Sequence, residues 1–280
     1  MITVFRAFEF SKFTIIKNRK GNRDFQYFPF VRSNDGNKEM TCIGPDHGRS
    51  FVIGKLSNGR YVVSKGNGLS YTQHSFVDTP EMGDDTLGLL LKQDAIRDWE
   101  LCKDVAELGI KTNRMECIIE IDREFTIENG HKLKPVLLQY DVECPYRICD
   151  AAFMTTDQIW SEVRNWPNPK GYAENYMIAA DILISNLRKL HDAKILHNAI
   201  HNQNYTWALE LLDFELAHSP KHPYTTEDEA RHIPSLFPRE IIHTYQIINY
   251  IGWVLKEEMN YRKIDALFKE YNFEIKGINI

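Results

Sequence analysis

Short runs of apolar and β-branched residues in the first half of the chain predict β-strands. Two of them, 51–56 and 61–65, flank Ser57-Asn58-Gly59-Arg60. An Asn-Gly pair between two such runs is typical of a tight β-hairpin. Runs at 117–121 and 136–140 predict two more strands. The first half is therefore expected to be rich in antiparallel β-structure.

Helical periodicity separates these strands and then dominates the second half. Apolar residues recur every three or four positions over 90–108, 174–192 and 239–258, which is the spacing of amphipathic helices. Gly109 is a predicted C-cap of the first helix. Strands followed by helices indicate an α+β protein.

Domain boundaries follow from this change of pattern. We expect an N-terminal extension at 1–40, a β-rich N-lobe at 41–140 and a helical C-lobe at 141–280. The chain has 280 residues, of which 43% are hydrophobic, and this is enough to build a sizeable core.

Charge and cysteine content restrict the classes of partner. The formal net charge of -5 gives no electrostatic reason to expect a nucleic-acid partner. The five cysteines lack CxxC pairs, which speaks against a disulfide framework or structural zinc and favours a reducing cytoplasm. The N-terminus lacks a signal-peptide core, and there is no apolar run of 18 residues, so neither secretion nor a membrane span is expected.

The stretch 190–217 carries the clearest chemical pattern. Asn204 lies seven positions after His197, and Asp213-Phe214-Glu215 follows shortly afterwards. The segment resembles the catalytic loop and DFG metal loop of protein kinases, which have this His-to-Asn spacing. The resemblance implies a bilobal protein-kinase-like fold with a β-rich N-lobe, a helical C-lobe and an ATP site.

Two oxygen donors and one lysine form the predicted ATP and Mg²⁺ site. Mg²⁺ prefers oxygen ligands and takes few of them from protein, so Asn204 and Asp213 are the predicted metal ligands. Lys65, at the end of the second hairpin strand, is the predicted phosphate-binding lysine. Its predicted carboxylate partner is either Asp98 or Glu100. Only one of them can point at Lys65, because residues two apart on a helix face different directions.

Several motifs resemble a narrower family, the selenoprotein-O family of protein adenylyltransferases. They are Leu56-Ser57-Asn58-Gly59-Arg60, Lys65-Gly66-Asn67-Gly68, Ile96-Arg97-Asp98, Leu108-Gly109-Ile110-Lys111-Thr112-Asn113-Arg114 and Pro145-Tyr146-Arg147-Ile148. The nine-residue step from Asn204 to Asp213 is similar to that family as well. The resemblance covers roughly residues 44–217.

The resemblance implies an inverted ATP whose AMP is transferred to protein hydroxyls. It implies that Lys65 contacts phosphate and pairs with Asp98, and that Asn204 and Asp213 bind Mg²⁺. The predicted nucleotide-binding residues are Lys65, Gly66, Gly68 and Glu100. The expected partners are the nucleotide and a protein acceptor, with no nucleic acid and no membrane.

Departures from both patterns leave other functions open. Ala199 stands where kinases have their catalytic Asp, Gln203 replaces an Asp of the adenylyltransferases, and the family's two arginines fall at Gln73 and near Cys149. His201 replaces a kinase lysine and is the predicted third catalytic residue, with Lys65 and Asp98. The alternatives are a phosphotransferase with an atypical catalytic loop and an inactive nucleotide-binding pseudokinase that acts as a protein-interaction module.

Overall fold

A computed structural model describes residues 2–19, 25–68, 88–126, 132–223 and 227–274, with backbone only at 126 and 227–234. The chain divides into two compact units. Unit 1 comprises Met1–Trp99 and Asn113–Pro145, and unit 2 comprises Glu100–Thr112 and Tyr146–Ile280. The last boundary between the two units lies after Pro145, a few residues beyond the predicted lobe boundary at residue 140.

Unit 1 is built from antiparallel strands. They are β1 (Ile2–Glu9), β2 (Phe13–Asn18), β3 (Phe30–Arg32), β4 (Lys38–Ile43), β5 (Ser50–Lys55), β6 (Tyr61–Lys65), β7 (Arg114–Ile121), β8 (Phe125–Thr126), β9 (Lys132–Leu133) and β10 (Val136–Val142). The described strands form a five-stranded sheet of order β2-β7-β10-β6-β5, a three-stranded sheet of order β3-β1-β4 and the pair β8-β9.

The centre of the five-stranded sheet is the core of unit 1. Every residue of β10 is buried, as its nearly continuous apolar sequence requires. Of its two polar residues, Asp141 pairs with Arg60, and Gln139 donates from Nε2 to the Phe28 carbonyl at 2.8 Å and to Ser64 Oγ at 3.2 Å. The predicted hairpin is confirmed, since β5 pairs with β6 around the Asn58-Gly59 turn.

Residues 1–40, predicted as an N-terminal extension, supply strands to two sheets. β1 pairs with both β3 and β4, and β2 pairs with β7 at the edge of the five-stranded sheet. Phe5 and Ala7 alternate inward on β1, whereas Ile2 and Val4 are exposed. Successive side chains of a strand point to opposite faces, so alternate residues of β1 join the core.

Unit 2 is mainly helical. The helices are α1 (Lys92–Glu107), in which the division between the units falls, a short 3₁₀ helix (Ile148–Phe153), α2 (Thr156–Val163), α3 (Asn175–Asp192), α4 (Glu227–Leu255) and α5 (Tyr261–Glu270). The central helix α3 buries most of its apolar residues and packs against α4 and α5.

The predicted start of α4 at residue 239 is wrong. That prediction was based on apolar periodicity alone, and an interior proline such as Pro238 usually breaks a helix. In the structure the helix begins at Glu227 and continues through Pro238. It ends before Lys256, which adopts a left-handed conformation with φ 56°.

The chain therefore has the predicted α+β fold, with a β-rich N-terminal part and a helical C-terminal part. Within the described ranges, none of the helices combines the length and apolarity needed to traverse a bilayer.

Glu257 caps α3 from outside that helix. Its Oε1 accepts from the backbone N–H of Asn175 at 3.0 Å and its Oε2 from that of Tyr176 at 2.8 Å. The helix's own N-cap residue, Glu174, makes no capping bond with its side chain. We expect Glu257→Ala to lower the free energy of unfolding by about 1–2 kcal/mol, as cap removal commonly does.

Urea denaturation followed by circular dichroism measures this loss. The adjacent Glu258→Ala, at an exposed position, is the matched control and is expected to change the free energy of unfolding by less than about 0.5 kcal/mol. Equal effects of the two substitutions would contradict the capping role.

Candidate functional site

Lys65 and Asp98 form a buried ion pair in unit 1. Lys65 is the last residue of β6, where it is opposite Ser50 of β5 and Leu138 of β10. Its Nζ lies 2.8 Å from Asp98 Oδ2, and the two side chains are each 2% exposed. Of the two carboxylates that the sequence left open, Asp98 is the one that meets Lys65.

The glycines after Lys65 have a backbone role. Gly66 has φ +91°, and a Cβ there would come within 2.6 Å of Leu90 Cβ, so a side chain does not fit. The N–H of Gly66 donates to the Arg49 carbonyl at 3.0 Å, and that of Gly68 to the Gly88 carbonyl at 3.3 Å. Both amides are thus used within unit 1, and nucleotide binding by these glycines stays a prediction.

In unit 2, His197 joins the catalytic-loop-like segment to the segment that precedes Asp213. The imidazole is fully buried, and its Nε2 lies 2.8 Å from the Leu212 carbonyl. Its Nδ1 accepts from the N–H of Ala199 at 3.3 Å. Because a backbone N–H can only donate, Nδ1 is unprotonated and Nε2–H donates to Leu212. His197 therefore has a structural role in this segment.

Asn204 and Asp213 are brought together through Leu212. The Leu212 N–H donates to the Asn204 carbonyl at 2.9 Å, and Asp213 is the next residue. Asn204 Nδ2 donates to the Ala199 carbonyl at 2.9 Å, so the amide oxygen is directed away from that contact. Asp213 has a left-handed backbone with φ 67°, which costs free energy in a non-glycine residue and is common at functional sites.

This pair of residues suits a hard cation. An amide oxygen and a carboxylate are the ligands that Mg²⁺ prefers, and its remaining positions are commonly filled by water and phosphate. The described part of the chain contains no group of three or more His, Cys, Asp or Glu residues able to hold a metal ion. Magnesium binding by Asn204 and Asp213 therefore stays a prediction.

His201 is half-buried and presents a hydrogen-bond donor. Its Nδ1 accepts from the N–H of Gln203 at 3.3 Å, so the proton of the neutral ring is on Nε2. Burial lowers the pKa of His201, and His197, His243 and Arg147 lower it further, whereas Asp213 opposes the shift. A neutral ring in this tautomer donates from Nε2. Service as a general base would first require release of Nδ1 from Gln203.

Glu240 on α4 is a site residue that the sequence analysis missed. It is 2% exposed, and its Oε1 accepts from the Asn198 N–H at 2.7 Å. Its Oε2 lies 3.0 Å from His191 Nε2. Glu240 thereby holds the loop where Asn198 takes a left-handed conformation, φ 63°. In the sequence, Glu240 is recognisable only as an acidic residue beside the apolar positions of a helix. That pattern does not reveal a partner 42 residues away.

Arg147 was also missed. Its segment pairs with the loop, because the N–H of Ile148 donates to the Tyr205 carbonyl at 2.8 Å and that of Cys149 to Asn202 at 3.1 Å. The expected arginine position fell near Cys149, but Arg147 is close enough to lower the pKa of His201. Gln73, the other expected arginine position, lies outside the described residues.

Comparisons with known proteins add a distant structural likeness. No protein-family model matches the chain, and no curated protein matches it. The resemblance to the selenoprotein-O family therefore depends on the short motifs alone. Among solved structures the chain is similar to one described as "Crystal structure of Toxoplasma gondii specific rhoptry antigen kinase domain", with a TM-score of 0.43 and 10% identity over 85% of this chain and 76% of that chain. This likeness is too distant to bear on function.

The Lys65–Asp98 pair makes a prediction about stability. Asp98→Ala removes this carboxylate from a buried ammonium group, and breaking one side of a buried pair typically costs about 3–5 kcal/mol. We expect a loss of about 3 kcal/mol in the free energy of unfolding, measured by urea denaturation.

Glu100→Ala is the matched control on the same helix. Glu100 is partly exposed, and we expect its replacement to cost less than about 1 kcal/mol. The double substitution Lys65→Met with Asp98→Leu should recover much of the lost stability, because it removes both buried charges. A double variant less stable than Asp98→Ala would contradict this account.

Proposed function

We propose that this chain binds ATP with Mg²⁺ and transfers a group from it to a hydroxyl of a protein acceptor. The observation that carries the proposal is the arrangement around Leu212, which places the Asn204 amide and the Asp213 carboxylate on hydrogen-bonded segments. Two protein oxygens suit a magnesium ion that also binds phosphates and water. When bound, the ion would neutralise negative charge on the phosphates.

Lys65 supports the nucleotide part of the proposal. A lysine at the end of a sheet strand, paired with a helix carboxylate, is the arrangement with which kinase-like proteins meet the α- and β-phosphates. In this chain the pair is formed at 2.8 Å. Asp98 therefore orients Lys65 in the proposed site.

The group that we propose is AMP. The short motifs shared with adenylyltransferases support it, as does Ala199 in the place of the kinase base. The acceptor oxygen would bond to the α-phosphorus, while the bond between that phosphorus and the oxygen that bridges the α- and β-phosphates breaks. Pyrophosphate then leaves and the hydroxyl proton passes to solvent. His201, as a neutral donor, would stabilise negative charge through its Nε2–H.

A second candidate function is a nucleotide-binding pseudokinase without catalysis, acting through a protein partner. Ala199 favours it, because a methyl group cannot accept the proton of an acceptor hydroxyl. Gln203 favours it too, because an amide replaces the carboxylate of the adenylyltransferases.

Labelled ATP separates these functions. We expect label from [α-³²P]ATP, but not from [γ-³²P]ATP, to be retained on protein after denaturing gel electrophoresis. Label from the γ-phosphate alone would instead show phosphotransfer. No label from either nucleotide, together with measurable ATP binding, would support the pseudokinase.

Substitution of the proposed ligands tests the metal site separately. We expect Asn204→Ala and Asp213→Ala each to weaken Mg²⁺-dependent binding of a fluorescent ATP analogue by roughly tenfold or more, since even outer-shell changes cost 10–100-fold in metal affinity. Circular dichroism checks that each variant is folded.

Asn202→Ala is the control within the same loop. Asn202 contributes its carbonyl to Cys149, and alanine keeps that group. We expect binding within about twofold of the unmodified protein, the scale of a surface substitution. If Asn204→Ala and Asn202→Ala had the same small effect, magnesium ligation by Asn204 would be refuted.

A further inference from the structure

A tight hairpin turn lies between the two candidate ligands, Asn204 and Asp213. The N–H of Thr206 donates to the Glu210 carbonyl at 3.0 Å, and the N–H of Leu209 donates to the Thr206 carbonyl at 2.9 Å. These bonds reverse the chain over residues 207–209. The shape of the turn therefore sets how the residues before it approach the residues after it.

The backbone of this turn is strained at Leu209. Leu209 is the last residue of the three-residue loop 207–209 and has a left-handed conformation, φ 56°. Loops of this length often end in a left-handed residue, and glycine suits that position because it lacks a Cβ. A leucine there costs free energy, so contacts from elsewhere must hold the turn.

Thr206 and Glu210 supply one such contact across the base of the turn. The Thr206 Oγ1 accepts from the Glu210 N–H at 3.2 Å and donates to Glu210 Oε2 at 3.2 Å. A hydroxyl can do both at once. Both residues are buried, where the loss of a hydrogen bond is costly. One side chain thus holds both the backbone and the carboxylate of the residue opposite.

Lys111 supplies a second contact, at the tip of the turn. Its Nζ donates to the Ala208 carbonyl at 3.0 Å, and its own carbonyl accepts from the N–H of Leu211 at 2.9 Å. Lys111 belongs to the motif at 108–114, which the proposed function leaves without a role. It grips the hairpin both at its tip and on the strand that leads to Asp213.

We propose that Thr206 and Lys111 are positioning residues, which hold the strained turn and thereby fix the approach of Asn204 to Asp213. Neither residue needs to contact the nucleotide or the metal for this role. The consequence for magnesium binding rests on the proposed function. The positioning itself does not.

Hydrogen exchange of the full chain without nucleotide tests the proposal. The reporter is the Leu212 amide, because it donates to the Asn204 carbonyl at 2.9 Å. We expect Thr206→Val, which keeps the side-chain shape but lacks the hydroxyl, to raise its exchange rate about tenfold, the scale of one or two ordinary hydrogen bonds. Thr206→Ser keeps the hydroxyl and should restore an exchange rate close to that of the unmodified chain.

A second amide separates positioning from a general loss of stability. The amide of Ile184, in the buried part of α3, should accelerate much less than that of Leu212 in Thr206→Val. Thr156→Val, at an exposed position, is the matched control and should leave Leu212 unchanged. Equal acceleration of the two amides in Thr206→Val would overturn the proposal, and so would a serine variant that exchanges as fast as the valine variant.

Lys111→Met tests the second residue, and it carries the test alone should Thr206→Val fail to fold. It removes the donor to the Ala208 carbonyl, so the Leu212 amide should exchange about threefold faster, the lower end of the scale for one hydrogen bond. Lys111→Arg supplies a donor again and should slow the exchange. An unchanged Leu212 rate in Lys111→Met would overturn the role of Lys111. Since no nucleotide is used, these outcomes are independent of those for labelled ATP.

Discussion

The candidate site in unit 2 depends on the two backbone groups of Leu212. Its N–H donates to the Asn204 carbonyl, and its carbonyl accepts from His197 Nε2. One residue thus connects the loop that carries Asn204 with the segment that carries Asp213. Both hydrogen bonds are buried, so an unpaired partner would cost about 1–3 kcal/mol. The approach of the Asn204 and Asp213 backbones to each other is therefore a consequence of these hydrogen bonds.

Support for this connection comes from α4, a helix distant in sequence. Glu240 accepts from the N–H of Asn198 at 2.7 Å. Such support matters because Asn198 and Asp213 both have left-handed backbones, which persist when surrounding contacts outweigh their local cost.

Local patterns predicted much of the fold, and long-range contacts account for what they missed. The hairpin around Asn58-Gly59 and the helix at Lys92–Glu107 follow from turn chemistry and periodicity over a few residues. The incorporation of β2 in the sheet depends on pairing with β7, about a hundred residues later, and no local pattern encodes that partner. The same holds for Glu240, whose role is defined only once α4 packs on the loop.

For the candidate residues, sequence spacing indicated positions but not the contacts that define their chemistry. The series Lys65, Asn204 and Asp213 followed from motif spacing, yet the choice between Asp98 and Glu100 required the helix to be placed against β6. The role of His201 shows the same limit. Its residue type suggests a base, but the N–H of Gln203 occupies Nδ1. The free nitrogen of the neutral ring is then a donor, and this is better suited to stabilising an anion than to removing a proton.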